Sequence, residues 1–114
     1  MKGILKMMTK TKSLPFIPTI GTGVTIASGS DRHPGTIVEV TESGHTITFV
    51  YDLYRVISGT TQDGSAEYEI TPSDVNDFTK GRFTARWSSK YKTYMYGGQV
   101  IGVGHRDAYY DPHF

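Results

Sequence analysis

The stretch RFTARWSSKYKTYMYGGQVIGV, residues 82–103, decides how the rest of the chain is read. Phe83, Ala85 and Trp87 alternate with Arg82, Thr84 and Arg86. Successive side chains of an extended chain point to opposite faces, so this is a strand with one apolar and one basic face. Ser88-Ser89-Lys90 turns the chain, and Tyr91 to Tyr96 returns as a second strand. Gly97-Gly98 supplies a tight turn, and Gln99 to Val103 is a third strand.

The same period runs upstream. Val24 and Ile26 alternate with Thr25 and Ala27 as a first strand. Residues 28–35, Ser-Gly-Ser-Asp-Arg-His-Pro-Gly, carry two glycines, a proline and Asx-type turn formers, and are expected to form a loop. Thr36 to Thr41 follows as a strand with Ile37, Glu39 and Thr41 on one face and Val38 and Val40 on the other. A turn at 42–45 leads into a strand over 46–53, and Tyr54 to Ile57 continues extended. Asp63-Gly64 marks the next turn, and Ala66 to Ile70 is the returning strand. Residues 71–77 are an irregular connection in which Ser73 is placed to cap a single helical turn. There is no internal repeat and no long helical pattern. About seven short strands at this spacing predict a mostly-β fold: a small antiparallel SH3-like barrel or sandwich with extra strands and little or no helix.

A chain of 114 residues suits one domain. Without cysteine it has no disulfide, no thiolate zinc site and no cysteine nucleophile. Twelve basic against eleven acidic side chains, a net +1, is not the balance of a general nucleic-acid binder. No apolar run approaches the roughly 20 residues that span a bilayer, and no secretory h-region is present. Residues 1–18 differ from the rest, with Lys2, Lys6, Lys10 and Lys12 and no acid before Asp31. They are expected to be a flexible basic N-terminal arm, stiffened at Pro15 and Pro18, ahead of a single β-barrel domain over 19–114.

Two polar stretches stand out. One is Asp31-Arg32-His33-Pro34, and the other is the C-terminal run from His105 to Phe114. Arginine forks suit phosphate or carboxylate, and tyrosine offers a ring to stack and a hydroxyl to bond. If the stretches meet, Asp31, Arg32, His33, His105, Arg106, Tyr109 and Tyr110 form a ligand site for an anionic, nucleotide-like small molecule. Arg106 carries most of that expectation. Arg106 and Tyr109 lie on opposite phases of a strictly extended chain, so both face one pocket only across a bend. The structural alternative has Asp31 capping local donors, Arg32 pairing with an acid, and Tyr110 and Phe114 anchoring the terminus in the core. The His, Asp pairs at 105/107 and 111/113 do not follow a zinc spacing motif, and no Gly-x-Ser-x-Gly elbow occurs. A two-histidine mechanism on His33 and His105 ranks below simple binding, so no catalytic residue, metal or cofactor is expected. Lys80, Arg82, Arg86, Lys90 and Lys92, interleaved with Phe83, Trp87 and Tyr91, could carry single-stranded nucleic acid; the simpler reading is a solvated outer face with Phe83 and Trp87 in the core.

The run from Gly23 through Asp31-Arg32-His33-Pro34 to Asp52 resembles the opening of SH3-like small β-barrels. With the closing Tyr110-Asp111-Pro112-His113-Phe114, the Ser30-Asp31-Arg32-His33-Pro34 motif resembles a family of uncharacterised small proteins of phages and prophages, over roughly residues 21–114. The resemblance implies a setting in the cytoplasm of a bacterial host. Small phage accessory proteins often counter host defence, so the expected function is sequestration of a host signal by a non-enzymatic binding protein. The alternatives are a protein–protein inhibitor of a host defence factor and an SH3-like nucleic-acid module. Strand edges and tyrosine content also leave room for a homo-oligomer.

Overall fold

The computed structural model describes residues 13–112, and all their regular structure is extended. The strands are β1 (Gly23–Ser28), β2 (Asp31–Val40), β3 (Thr46–Tyr51), β4 (Leu53–Ser58), β5 (Glu67–Thr71), β6 (Phe83–Ser88), β7 (Thr93–Tyr96) and β8 (Gln99–Val103). Six of them close a barrel in the order β1-β2-β3-β6-β7-β8, with β8 returning to β1. Closure gives each of these strands a neighbour on both sides. β4 and β5 form a separate two-stranded sheet, inserted between β3 and β6. Every pairing is antiparallel. The expected mostly-β fold is therefore present in its barrel form.

The core holds Val24, Ile26, Ile37, Ile47, Phe49, Ala85, Tyr94 and Ile101. Phe83 and Trp87 pack against it, as the alternation in β6 predicts. In β2 the predicted faces do not hold. A bulge between Ile37 and Glu39 inserts Val38, so Ile37 is fully buried while Val40 packs on the core and Glu39 is exposed. One extra residue reverses the phase beyond it.

The expected loop over 28–35 is also corrected. Only Gly29 and Ser30 turn the chain, between the paired Ser28 and Asp31. Gly29 at φ +61 suits the first position of a two-residue II′ hairpin turn. From Asp31 onward the chain is strand, because β1 pairs it residue by residue. Pro34 is tolerated there. Its carbonyl accepts the Asp52 N–H at 2.9 Å, so its missing donor lies on the same side, where the β2–β3 ladder has already ended at Gly35 and Tyr51. Gly35 is needed for space: an added Cβ would lie 2.8 Å from the Val50 carbonyl oxygen and 3.0 Å from Val24 Cγ2. Backbone at that distance cannot step aside cheaply. Gly35→Ala is expected to lower unfolding free energy by about 1–3 kcal/mol, read from urea denaturation.

The strand expected over 46–53 breaks at Asp52, where the chain leaves the barrel for the β4–β5 hairpin. The helical turn expected near Ser73 is absent, and the side chain is used differently, as described below. Residues 1–12 of the expected basic arm, and His113 and Phe114 at the other end, lie outside the described residues. In the remainder of the arm, Leu14 packs against the core and its N–H donates to Ser43 O at 2.9 Å.

Candidate functional site

β3 accompanies β2 only from Gly35 onward, so the 31–34 end of β2 has a backbone side open opposite β1. The C-terminal stretch fills it. Arg32 and Tyr109 exchange both backbone hydrogen bonds, at 2.8 and 2.9 Å. The Asp111 N–H donates to Asp31 Oδ1 at 2.8 Å. Upstream, Thr25 Oγ1 donates to His105 O and accepts the Asp107 N–H, both at 2.9 Å. The two polar stretches thus meet, through backbone pairing.

Their guanidinium groups do not converge. Arg106 Nε donates to Asp52 Oδ2 at 2.9 Å, and its Nη2 reaches Thr36 Oγ1 at 3.0 Å and Gly21 O at 3.3 Å. Its stem crosses Gly23, where a Cβ would fall 2.7 Å from Arg106 Cγ. The Asp52 side chain is fully buried. Its Oδ1 accepts from Thr36 Oγ1 and Ser73 Oγ at 2.7 Å, and from the Ser73 N–H at 2.9 Å. Lys80 Nζ completes the network, donating to Ser73 Oγ at 2.7 Å and Tyr51 O at 3.1 Å. A buried carboxylate needs such partners, since an unpaired one is costly. Arg106, expected as the main ligand contact, is committed to this structural tie, and Ser73 belongs to it as well.

Arg32 turns Nη1 back to Gly29 O and Asp31 O, at 3.0 and 2.9 Å. His105 lies near Gly102, with Nε2 3.6 Å from Asp107 Oδ2. His33 has other neighbours: Nδ1 is 3.2 Å from the Tyr54 hydroxyl, and its ring meets Tyr51 edge-on at 6.3 Å. Tyr110, expected in the ligand site and in the structural alternative a core anchor, is half-exposed. Of the basic run, Lys80 is used internally and Arg82 is 3.6 Å from Glu39 and stacked 4.5 Å from the Phe78 ring. Among the described residues, no group of three or more His, Asp or Glu is placed to share a metal ion.

The β4–β5 hairpin presents a cluster of large apolar side chains to solvent. All six residues of β4 are exposed, including Leu53 at 67%, Tyr54 and Val56 at 40% and Ile57 at 53%. Cross-strand pairing sets Tyr54 opposite Ile70 and Val56 opposite Tyr68. Tyr54, Val56, Thr61, Tyr68 and Tyr110, with Arg55, line an open groove of about 410 Å³. The Tyr54 and Tyr68 rings meet at 5.8 Å, and the Tyr68 hydroxyl accepts the Tyr110 N–H at 3.2 Å. Burial, followed by Tyr68 and Asp31, pushes the Tyr54 hydroxyl pKa upward. Arg55 is neutralised by Glu69 at 2.7 Å across the strands. The surface is apolar and aromatic, and it is held in place by the docked C-terminal stretch. The signal available in the sequence was four large apolar residues in the five positions 53–57, without the alternation of a half-buried strand.

No family model, no curated protein and no solved structure matches this chain.

Proposed function

We propose that the chain is a non-enzymatic binding protein that docks a partner protein on its β4–β5 hairpin. The observation that carries this is that all six residues of β4 are exposed, four of them large apolar side chains. A two-stranded hairpin is marginal alone, and a third strand extends both its ladder and its apolar face. Of its two edges, β5 is guarded by exposed Glu67 and Glu69, whereas β4 carries no acid. An extended segment with alternating apolar residues would therefore add to β4 and cover Tyr54 and Val56. The resemblance to phage and prophage proteins suggests a host protein as the partner, in the bacterial cytoplasm, with inhibition of a defence factor as the outcome.

Hydrogen exchange of the complex tests this, on a partner that co-purifies from host lysate. Protection over residues 53–58 is expected, together with at least tenfold weaker retention by Val56→Lys, because a buried apolar anchor is worth about 2 kcal/mol. Unchanged exchange over 53–58 would overturn the assignment. A second reading, a planar nucleotide-like ligand, is favoured by the three tyrosines of the groove. It loses support from Arg106, which is spent on Asp52. Calorimetric heat with cyclic dinucleotides that vanishes in Tyr68→Ala would establish it in place of the protein partner.

A further inference from the structure

A second concavity lies on another part of the barrel, away from the hairpin. It encloses about 270 Å³ between the segment entering β1 and the β6–β7–β8 strands. Trp87, Tyr94, Ile101 and Val103 form its barrel side, and Phe16 forms part of the other wall. Tyr94 and Ile101 are core residues, so the cavity opens directly onto the core, as ligand sites in barrel mouths do. Its volume sits just below the roughly 300 Å³ at which drug-sized pockets begin, which points to a small ligand.

The lining itself carries charge of one sign. Lys92 is the one charged residue in the lining. The two segments that build the cavity, residues 13–18 and 87–103, contain Lys90 and Lys92 and no carboxylate. Lys90 Nζ lies 5.1 Å from the Tyr91 ring, whereas among the described residues Lys92 Nζ has neither an ion pair nor a hydrogen bond. Lys92 also sits at φ +56, the one non-glycine residue among those described in the left-handed region. Glycine or asparagine would satisfy that backbone at lower cost. Lys92 is itself exposed and stands in the lining of this otherwise uncharged cavity.

We propose that this cavity binds a small amphiphilic monoanion, with its aliphatic or aromatic body against Trp87, Tyr94 and Ile101 and its carboxylate on Lys92. The apolar walls supply the burial, and the unpaired ammonium selects the sign of the head group. This site is independent of the hairpin and its partner.

Trp87 is the chain's one tryptophan, so its emission reports on the cavity alone. Titrate the full chain with decanoate below its micelle concentration, and with decanol and decylamine as length-matched controls. Decanoate is expected to shift the Trp87 emission saturably, with decylamine giving no saturable change. Lys92→Met should weaken decanoate by about tenfold to a hundredfold while leaving decanol unaltered, and Lys92→Arg should restore decanoate binding. Flat emission with decanoate, equal affinity for decylamine, or full decanoate affinity in Lys92→Met would each overturn the assignment.

Discussion

Arg106→Met is expected to lower unfolding free energy by about 3–5 kcal/mol, a large share of the 5–15 kcal/mol typical of a domain. Methionine keeps an apolar stem over Gly23, so the loss isolates the guanidinium. Without it, Asp52 is left fully buried with hydroxyl and amide donors but no charge within the pair. Removing one partner of a buried pair is far costlier than removing both. The double variant Arg106→Met with Asp52→Leu should therefore recover part of the loss. Urea is the denaturant of choice, since it leaves the electrostatics unscreened, and the midpoint should fall at unchanged m. A loss below about 1 kcal/mol would mean that the pair behaves as a solvent-screened surface bridge, and would return Arg106 to the pool of ligand contacts.

Phe49→Ala should cost a similar amount, about 3–5 kcal/mol, for a different reason. Phe49 is fully buried in β3, and its ring meets those of Tyr51, Tyr96 and Phe83 at 5.5, 5.6 and 5.8 Å. Truncation removes the transfer free energy of the ring and leaves a hole that a closed barrel cannot collapse to fill. The melting temperature should drop by more than about 12 °C. Tyr110→Ala is the matched control: an aromatic of similar size, half-exposed in the groove, whose loss should stay within about 0.5 kcal/mol. Equal losses at the two positions would mean that the groove, rather than the barrel interior, holds the fold together.

Much of the barrel was legible because strand periodicity is a local property. Val24 with Ile26, Ile47 with Phe49, and Phe83 with Ala85 each mark an inward face two residues apart, and all but the partly buried Phe83 are fully buried. The turn at Gly97-Gly98 was equally plain, and both residues have positive φ, at +54 and +84. Residues 31–35 misled because their local turn chemistry is genuine. A ladder with β1 on one side, and the docked tail and β3 on the other, outweighs it. The Val38 bulge and the break at Asp52 left no comparable local mark.

By itself, the sequence determined a mostly-β chain of short antiparallel strands; that the C-terminal stretch docks beside Asp31 and Arg32 was decided in the tertiary structure. Which charges stay available for a ligand was decided only in the tertiary structure. Arg106 and Asp52 are 54 residues apart, and they meet because the barrel closes. Once Asp52 is desolvated, the nearest guanidinium is drawn to it, since an unpaired buried carboxylate would cost more than the fold can spare. The same closure leaves the β4–β5 hairpin outside the barrel, with exposed apolar side chains and, among the described residues, no strand beside β4 other than β5.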